Sequence, residues 1–299
     1  MRREAMQGTA VRGGEAAGVV VLVVAAGCVA NIEDGPPGAE HDASPPVIDG
    51  DPLLGEADAA PPPDAAPPPD AALPPDAAVP PTGLVAFYAF DEGSGGVARD
   101  SSGFGEPLDL FITQQSAVQW LDGALEIVQP TALTSSELAT KISEECVEAG
   151  AITIEARVVT TDRTLDGPTR IVSMSDSTSE RNFTLGTSLE RFVFRLRTTE
   201  TGLNGTPSLD SPEGAVTGEL IHVAVVGEVG GGRKMYIDGE LVAEDEVQGD
   251  FSPWSDDFQL WVGNEASFDR PWLGELHELA ITCRARGAEE LAAAAHAVD

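Results

Sequence analysis

Apolar and polar residues alternate along most of the chain from residue 83 onward. The period of two is clearest in segments 151–159, 191–197 and 221–225. The apolar positions are Ile152, Ile154, Ala156 and Val158, then Phe192, Phe194 and Leu196, then Ile221, Val223 and Val225. Such alternation between Gly-, Pro- and Asp-rich turns is typical of antiparallel strands with one buried face. The pattern therefore predicts an all-β domain over residues 83–299.

The segment 234–243, KMYIDGELVA, predicts a β-hairpin. Asp238 and Gly239 separate two strand-like runs, and this dipeptide favours a two-residue turn because both turn positions need positive φ. Helix is scarce in comparison. Leu138–Val147 predicts one short helix and the Ala-rich stretch Ala288–Val298 a terminal one.

The N-terminal region has a different pattern, an apolar run of twelve residues over 16–27 that follows several arginines. A spanning helix needs about 20 apolar residues, whereas a signal peptide needs roughly 7–15. We therefore predict a signal peptide over residues 1–28. Ala25-Ala26-Gly27-Cys28 resembles the lipobox of bacterial lipoproteins, which implies export, lipidation of Cys28 and anchoring at the outer membrane or cell surface. An ordinary secretory signal with a chance cysteine is the alternative.

Residues 29–82 predict a disordered linker. The six-residue units PPPDAA, PPPDAA and LPPDAA follow one another from residue 61, and the stretch contains no aromatic residue. Proline removes backbone donors and favours the extended polyproline II conformation, so this segment can form neither a sheet nor a core. It is expected to act as a semi-rigid spacer before the domain.

The formal net charge is −33, of which residues 83–299 carry −23. Binding to phosphate groups needs clusters of Lys and Arg, so the charge argues against nucleic acid and anionic lipid as partners. Contact with the membrane is expected only through the N-terminal lipid. Besides Cys28, the chain has only Cys146 and Cys283. In an oxidising compartment these two predict a disulfide, and in the cytosol they would remain free thiols.

Several motifs appear in an order that resembles LamG-like jelly-roll domains of the concanavalin A-like lectin/glucanase superfamily. They are GLVAFYAFDEGSGGVARDSSG (83–103), AITIEARVV (151–159), ELIHVAVVGEVGGGRKMYIDGELVA (219–243) and GELHELAIT (274–282), followed by AEEL. The resemblance implies a two-sheet antiparallel jelly-roll sandwich. It also implies that strand 151–159 lies antiparallel to closing strand 274–282, with Cys146 and Cys283 at the same end. A bridge there would stabilise the domain by about 4 kcal/mol.

Catalytic residues of the glucanase kind are not evident. Such enzymes need carboxylates on one face of a strand, and hence an even spacing, whereas Glu275 and Glu278 are three residues apart. His222 and His277 lie within strand-like segments and no nucleophile motif accompanies them. We therefore predict that the domain is not an enzyme.

A calcium site is the metal chemistry that the resemblance implies, because many LamG-like domains hold Ca²⁺ with loop Asp or Asn oxygens. The candidate ligands here are Asp91, Asp100 and Glu278. The alternative is that Asp100 caps its own turn over residues 101–103.

Trp254 and Trp272 are the candidate sugar-stacking residues, because both lie in turn-rich segments. Sealing the edge of the core is their alternative role, and Trp120 and Trp261 are assigned to the core. The sequence predicts a surface-tethered, non-catalytic domain that binds a glycan or another extracellular polymer, with Ca²⁺ as a candidate cofactor. Adhesion to an envelope protein is the second hypothesis, and glycoside hydrolysis is the third.

Overall fold

The structure, a computed structural model, describes residues 82–297. The predicted signal peptide, Cys28 and the linker up to residue 81 lie outside the described residues. Within 82–297, no helix combines the length and the apolar character that crossing a membrane requires.

Sixteen strands, numbered β1 to β16 along the described chain, form two antiparallel sheets. Sheet A has the order β14-β13-β12-β7-β16-β5-β4, and β1 also pairs with β16. Its strands are β1 Leu84–Tyr88, β4 Val118–Leu121, β5 Ala124–Ile127, β7 Ala151–Thr160, β12 Ile221–Glu228, β13 Gly232–Ile237, β14 Glu240–Asp245 and β16 Gly274–Thr282.

Sheet B has the order β11-β10-β9-β8-β15-β6-β3-β2. Its strands are β2 Val97–Ala98, β3 Leu110–Ile112, β6 Leu133–Ser135, β8 Val172–Ser175, β9 Arg181–Ser188, β10 Arg191–Leu196, β11 Leu209–Asp210 and β15 Gln259–Val262. Helices α1 (Thr140–Ala149) and α2 (Ala288–Ala295) and a single 3₁₀ turn (Gln115–Ala117) complete the described elements.

The core lies between the two sheets and contains the apolar residues that alternate in the sequence. Ile154 on β7 and Val225 on β12 face it from sheet A, and Phe192 and Phe194 on β10 face it from sheet B. Burial of these side chains is the main favourable contribution to the fold. The predicted two-sheet antiparallel sandwich is confirmed, as are both predicted helices.

The predicted hairpin joins β13 to β14. Asp238 has φ 50° and Gly239 has φ 82°, so both turn residues adopt the positive φ that this tight turn needs. The Asp238 carboxylate also accepts a hydrogen bond from the backbone N–H of His222 at 3.0 Å, which ties the turn to β12.

The disulfide between Cys146 and Cys283 is confirmed. Cys146 lies in α1 and Cys283 directly follows β16, with their Cα atoms 4.5 Å apart. Strands β7 and β16 are antiparallel neighbours, as the resemblance implied. The bridge therefore fastens the helix before β7 to the end of the closing strand.

The outward faces of the sheets are more covered than the alternation predicts. Glu155 on β7 points away from the core and is nevertheless buried, because α2 and the segment before it lie against sheet A. Leu291 of α2 packs there against Ala224, Val226 and Tyr236. On sheet B, outward-facing Ser, Thr and Arg side chains lie beneath loops. The expectation of a single buried face for each sheet is therefore wrong at these positions.

Candidate functional site on the outward face of sheet B

Asp100, a predicted calcium ligand, is saturated by donors from the protein. Its Oδ1 accepts hydrogen bonds from the backbone N–H groups of Phe87 (3.1 Å) and Ser102 (3.0 Å), and Oδ2 accepts one from Leu108 (3.0 Å). The Lys141 ammonium donates to the same Oδ2 at 2.5 Å. A positive charge therefore already occupies the place a metal ion would take. These contacts support the alternative role, in which Asp100 caps its own turn.

The other two predicted calcium ligands, Glu278 and Asp91, lie outside the turn that Asp100 caps. Glu278 pairs with Arg157 at 3.5 Å on the outward face of sheet A, and Asp91 is exposed after β1. Ca²⁺ requires six to eight oxygen ligands. No cluster of three or more potential metal ligands occurs within residues 82–297. The structure therefore does not bring Asp91, Asp100 and Glu278 together into one cluster.

Trp254 and Trp272 belong to the core. Trp272 is 0% exposed, and its Nε1 donates to Thr160 Oγ1 at 3.2 Å. Trp254 stacks on Phe251 with ring centroids 4.9 Å apart, and its Nε1 donates to the Arg197 carbonyl at 2.8 Å. Because both indoles are packed against protein, they do not form a surface for sugar rings. Their alternative role, sealing the core edge, is the one these contacts support.

Six residues on neighbouring strands of sheet B lie in a line across its outward face. Cross-strand partners from β3 to β10 form one line, which we call the outer row: Phe111, Thr134, Trp261, Ser173, Thr184 and Arg195. Cross-strand partners share a face of the sheet, and the inward neighbours Leu260 and Val262 lie in the core. With strands about 4.8 Å apart, the outer row spans about 24 Å.

Trp261 and Phe268 form an aromatic pair on this face. The two rings meet edge to face, with centroids 6.2 Å apart and planes at 83°. Phe268 is 48% exposed and has φ 57°, a region that residues other than glycine rarely occupy. The strained backbone holds a large aromatic ring at the surface beside Trp261, which makes Phe268 a candidate contact residue.

Two buried arginines contact a single buried carboxylate beside the aromatic pair, and the charges of two further arginines act on them. We call Arg170, Arg181, Arg195 and Arg270 the arginine cluster. Arg170 Nε donates to Glu265 Oε2 at 2.8 Å, while Arg181 Nη1 lies 4.0 Å from the same oxygen. Arg170, Arg181 and Glu265 are buried, whereas Arg195 and Arg270 are partly exposed.

Hydrogen bonds connect the arginine cluster to the outer row. Arg181 Nη1 donates to Thr184 Oγ1 at 3.0 Å, and the hydroxyl groups of Thr184 and Ser173 lie 2.7 Å apart. Arg195 Nη1 donates to Asn204 Oδ1 at 3.2 Å. The cluster is therefore held by the sheet itself and by the loop that follows β10.

Burial and mutual repulsion set the electrostatics of the cluster. Burial, followed by the charge of Arg170, lowers the pKa of Arg181 to about 9. The pKa values of Arg170 and Arg195 are also lowered, chiefly by burial, and the charge of Arg270 adds to this effect. The cluster is therefore a region of concentrated positive charge in a domain whose net charge is strongly negative.

A family model described as the concanavalin A-like lectin/glucanases superfamily matches residues 134–292, which is more than half of the chain. The chain belongs to this superfamily. The predicted relationship is thereby confirmed for residues 134–292. No curated protein matches the sequence.

Solved structures of similar fold include an enzyme and a binding domain. A sialidase from Trypanosoma rangeli, solved with the inhibitor DANA, has a TM-score of 0.53 and 14% identity, covering 74% of this chain and 34% of that one. The binding domain of botulinum neurotoxin DC, solved with rat synaptotagmin II, has a TM-score of 0.51 and 12% identity, covering 71% and 51%. The chain thus spans about a third of the sialidase and half of the toxin domain. At these identities the likeness shows the fold alone.

Within this superfamily fold, the outward face of sheet B offers recognition chemistry. Guanidinium groups donate several hydrogen bonds in a planar arrangement, and exposed aromatic rings provide apolar contact. Glu265 is the carboxylate at the centre of the arginine cluster. It is fully buried and already accepts a hydrogen bond from Arg170, so it is not placed to act as a base.

No motif in the sequence marks the residues of this face as a group. Arg195 is identifiable from the alternation in 191–197, which places it opposite the core. Trp261 was assigned to the core, yet it lies on the outward face and its burial comes from covering loops. Arg270 and Phe268 lie in a loop, where no periodicity shows which residues share a surface with β10.

Proposed function

We propose that the domain is a non-catalytic recognition module that binds a glycan or another extracellular polymer where Phe268, Arg195 and Arg270 reach the surface beside the outer row of sheet B. The observation that carries this proposal is the exposed Phe268, held at positive φ against Trp261 and next to the arginine cluster. Ser173 and Thr184 of the outer row are themselves buried, so the ligand is expected to contact the exposed Phe268 ring and the partly exposed arginines.

Two buried carboxylates, Asp100 and Glu155, lack the raised pKa that an acid in glycoside hydrolysis needs. Hydrolysis needs a carboxylic acid with a raised pKa and a second carboxylate about 5–9.5 Å away. The pKa values of Asp100 and Glu155 are instead lowered: burial raises each, and hydrogen bonds from Lys141 to Asp100 and from His222 and Arg286 to Glu155 outweigh that effect. These two carboxylates therefore stay ionised and serve as structural acceptors.

The tethering part of the proposal rests on the sequence of residues 1–82. A lipid on Cys28 and a Pro-rich spacer over 29–82 would present the domain at the outer membrane or cell surface. Cys28→Ser is expected to move the protein from the membrane fraction to the soluble fraction in fractionated cells. Retention of the variant in the membrane fraction would contradict lipid anchoring through this cysteine.

A protein partner at the cell envelope is the second candidate function, and the edge of sheet A favours it. Strand β14 ends the strand order of that sheet, and its Leu241 is 47% exposed. Edge strands can pair with a strand of another protein. Such a partner would bind at β14 and would not depend on the residues of sheet B.

The proposal is tested by applying the full chain to an array of immobilised polysaccharides that includes neutral, acidic and peptidoglycan-derived polymers. We compare wild type with Phe268→Gly, which removes the exposed ring and permits the positive φ. Leu189→Gly is the matched control, because Leu189 is 50% exposed and has φ 54°. We expect Phe268→Gly to lose at least about tenfold in affinity and Leu189→Gly to bind as wild type does.

Repeating the array in EDTA tests the dependence on calcium. We expect binding to persist, because Asp91, Asp100 and Glu278 do not assemble into a site. Absence of binding to every glycan by a folded sample would overturn the proposal. Capture of an envelope protein that Phe268→Gly leaves unchanged would then support the second candidate.

A further inference from the structure

Two arginines of the described chain lack an acidic partner, and both belong to the arginine cluster. Residues 82–297 contain twelve arginines. Ten of them have a carboxylate oxygen within 4.0 Å. Arg195 and Arg270 are the exceptions within this range. In a domain with an excess of 23 negative charges, two unpaired arginines in one place require a physical explanation.

The nearby carboxylates do not neutralise the cluster. Glu265 is shared, because Arg170 holds its Oε2 at 2.8 Å and Arg181 reaches the same oxygen only at 4.0 Å. Asp210 on β11 attracts Arg195 electrostatically but does not form an ion pair with it. Asp210 is itself exposed and open to solvent. Among the described residues, Glu265 is therefore the carboxylate in ion-pair contact with the cluster, and only Arg170 and Arg181 reach it.

Buried donors in the same region also lack acceptors. Arg181 Nε, Arg195 Nε and Asn264 Nδ2 are buried, and none of them donates a hydrogen bond within the described protein. The side-chain oxygen of Asn264, by contrast, accepts from the backbone N–H of Arg270 at 3.1 Å. A buried donor without an acceptor costs about 1–3 kcal/mol, so such donors are uncommon unless a further group completes them.

The fold positions Arg195 with its Nε free. Asn204 accepts from Arg195 Nη1, and the loop that carries Asn204 approaches β10 closely at Gly205. Gly205 has φ 63°, and a Cβ at this position would lie 2.8 Å from the backbone nitrogen of Leu196. Glycine is therefore required for this approach. The arrangement fixes one end of the guanidinium, while the buried Nε has no acceptor within the described protein.

We infer that the polymer bound at this face is acidic, and that its carboxylate or sulfate oxygens are held between Arg195 and Arg270 while Phe268 contacts the adjoining ring. This inference rests on the proposed function and specifies its ligand class. Arginine suits such groups because its planar fork donates two parallel hydrogen bonds to an oxyanion. An acidic group would also relieve the repulsion within the cluster.

The test uses matched pairs of polymers that differ only in charge. Polygalacturonate is compared with its methyl ester, and chondroitin sulfate with its desulfated, esterified form. Binding of the full chain to each is measured by calorimetry at 50 mM and 200 mM NaCl. We expect at least one acidic polymer to bind at least about tenfold more tightly than its neutral partner, and the difference to shrink at the higher salt concentration.

Variants locate the binding to the cluster. Arg195→Gln and Arg270→Gln should each weaken binding of the acidic polymer at least about tenfold, and Arg195→Lys should fall between wild type and Arg195→Gln. Arg99→Gln is the control with the same change of charge, since Arg99 is exposed after β2 at the opposite edge of sheet B. Circular dichroism and thermal unfolding confirm that each variant is folded.

The outcomes separate this inference from the proposed function. Equal or tighter binding of the neutral polymers would overturn the inference while the recognition function stands. Acidic binding that both glutamine variants retain would also overturn it, because the charge would then act elsewhere. A folded wild-type chain that binds no glycan of either kind would overturn the inference together with the proposed function.

Discussion

Asp100 connects four segments of the domain, from β1 to α1. Its carboxylate joins the backbone of β1, its own turn, the segment before β3 and Lys141 of α1. Burial raises its pKa, but the hydrogen bond from Lys141 and those from the backbone amides outweigh this effect, so the pKa is lowered. The side chain is therefore ionised in the folded protein at neutral pH, and its charge is part of the structure.

Replacing Asp100 with Asn should destabilise the domain by about 3 kcal/mol at pH 7, because the substitution leaves the Lys141 ammonium without its charge partner. Urea unfolding monitored by tryptophan fluorescence measures this change. Asp91→Asn is the matched control and should change the free energy of unfolding by less than about 0.5 kcal/mol, since Asp91 is exposed. Equal effects of the two substitutions would refute a structural role for Asp100.

The contribution of Asp100 should depend on pH in a definite direction. A carboxyl group with a lowered folded pKa stabilises the protein above its unfolded pKa, near 3.8. That stability is lost as the pH falls through the lowered folded value. The difference between wild type and Asp100→Asn should therefore be largest near neutral pH and should shrink as the pH falls from about 5 toward 3.

Sequence patterns predict which residues alternate, but not what covers each face of a sheet. Trp261 alternates with Leu260 and Val262, so its direction could be read from the sequence. Its position beside Phe268 depends on the loop after β15, whose course no local pattern encodes. Trp254 and Trp272 lie in turns, and turn composition suggested exposure. Their burial follows from tertiary packing, which overrides that local signal.

Helix α2 covers sheet A through an apolar contact and a charged one. Leu291 packs against the sheet, while Glu155 on β7 lies between Arg286, in the segment before α2, and His222 on β12. Burial raises the pKa of Glu155, but the hydrogen bonds and charges of His222 and Arg286 outweigh it, so the pKa is lowered. An isolated helix of this length is marginal, and these contacts hold it in place.

Glu155→Gln should release α2 more than it disturbs the rest of the domain. The substitution removes the carboxylate that Arg286 and His222 share, at a cost of about 3 kcal/mol. Amide hydrogen exchange should show lost protection in α2 (Ala288–Ala295) and little change in β8 and β9. Glu275→Gln is the control, because Glu275 pairs with His277 at 3.0 Å in a partly exposed position. Unchanged protection of α2 in Glu155→Gln would contradict this role.

The disulfide gives a second test at the level of elements. Cys146 and Cys283 are 137 residues apart in sequence, so the bridge removes much of the conformational freedom of the unfolded chain. The double variant Cys146→Ala, Cys283→Ala should lose about 4 kcal/mol in guanidinium unfolding. Thermal unfolding of wild type in the presence of a reductant should show a loss in the same direction. A change of less than about 1 kcal/mol would refute the stabilising role of the bridge.

The elements themselves were more predictable than their arrangement. The hairpin at Asp238–Gly239 and the helix around Cys146 follow from turn preference and from local composition. The neighbours of β16 do not follow in this way, because β1, β5 and β7 come from distant parts of the sequence. The pairing of β7 with β16 was predicted from the family resemblance and not from the residue pattern. Residue patterns alone would have left the order of strands open.

At the scale of the whole molecule, charge is distributed unevenly. The domain carries an excess of 23 negative charges, yet the arginine cluster concentrates positive charge on one face of sheet B. Repulsion among the remaining acidic groups destabilises a compact state, whereas the same groups keep the surface soluble. The positive face therefore contrasts with its surroundings, which favours the orientation of an acidic ligand toward the outer row.

Monovalent salt should stabilise the full chain, because it screens the repulsion among its acidic groups. Raising NaCl from 10 mM to 500 mM shortens the screening length from about 30 Å to under 8 Å, and we expect the free energy of unfolding to rise by about 1 kcal/mol. Urea unfolding at each concentration measures the change, and KCl should give the same gain. Salt should have the opposite effect on binding: the affinity of the arginine cluster for an acidic polymer should fall, because the same ions screen that attraction. A stability that falls with salt would show that ion pairs such as Arg286–Glu155 outweigh the overall repulsion.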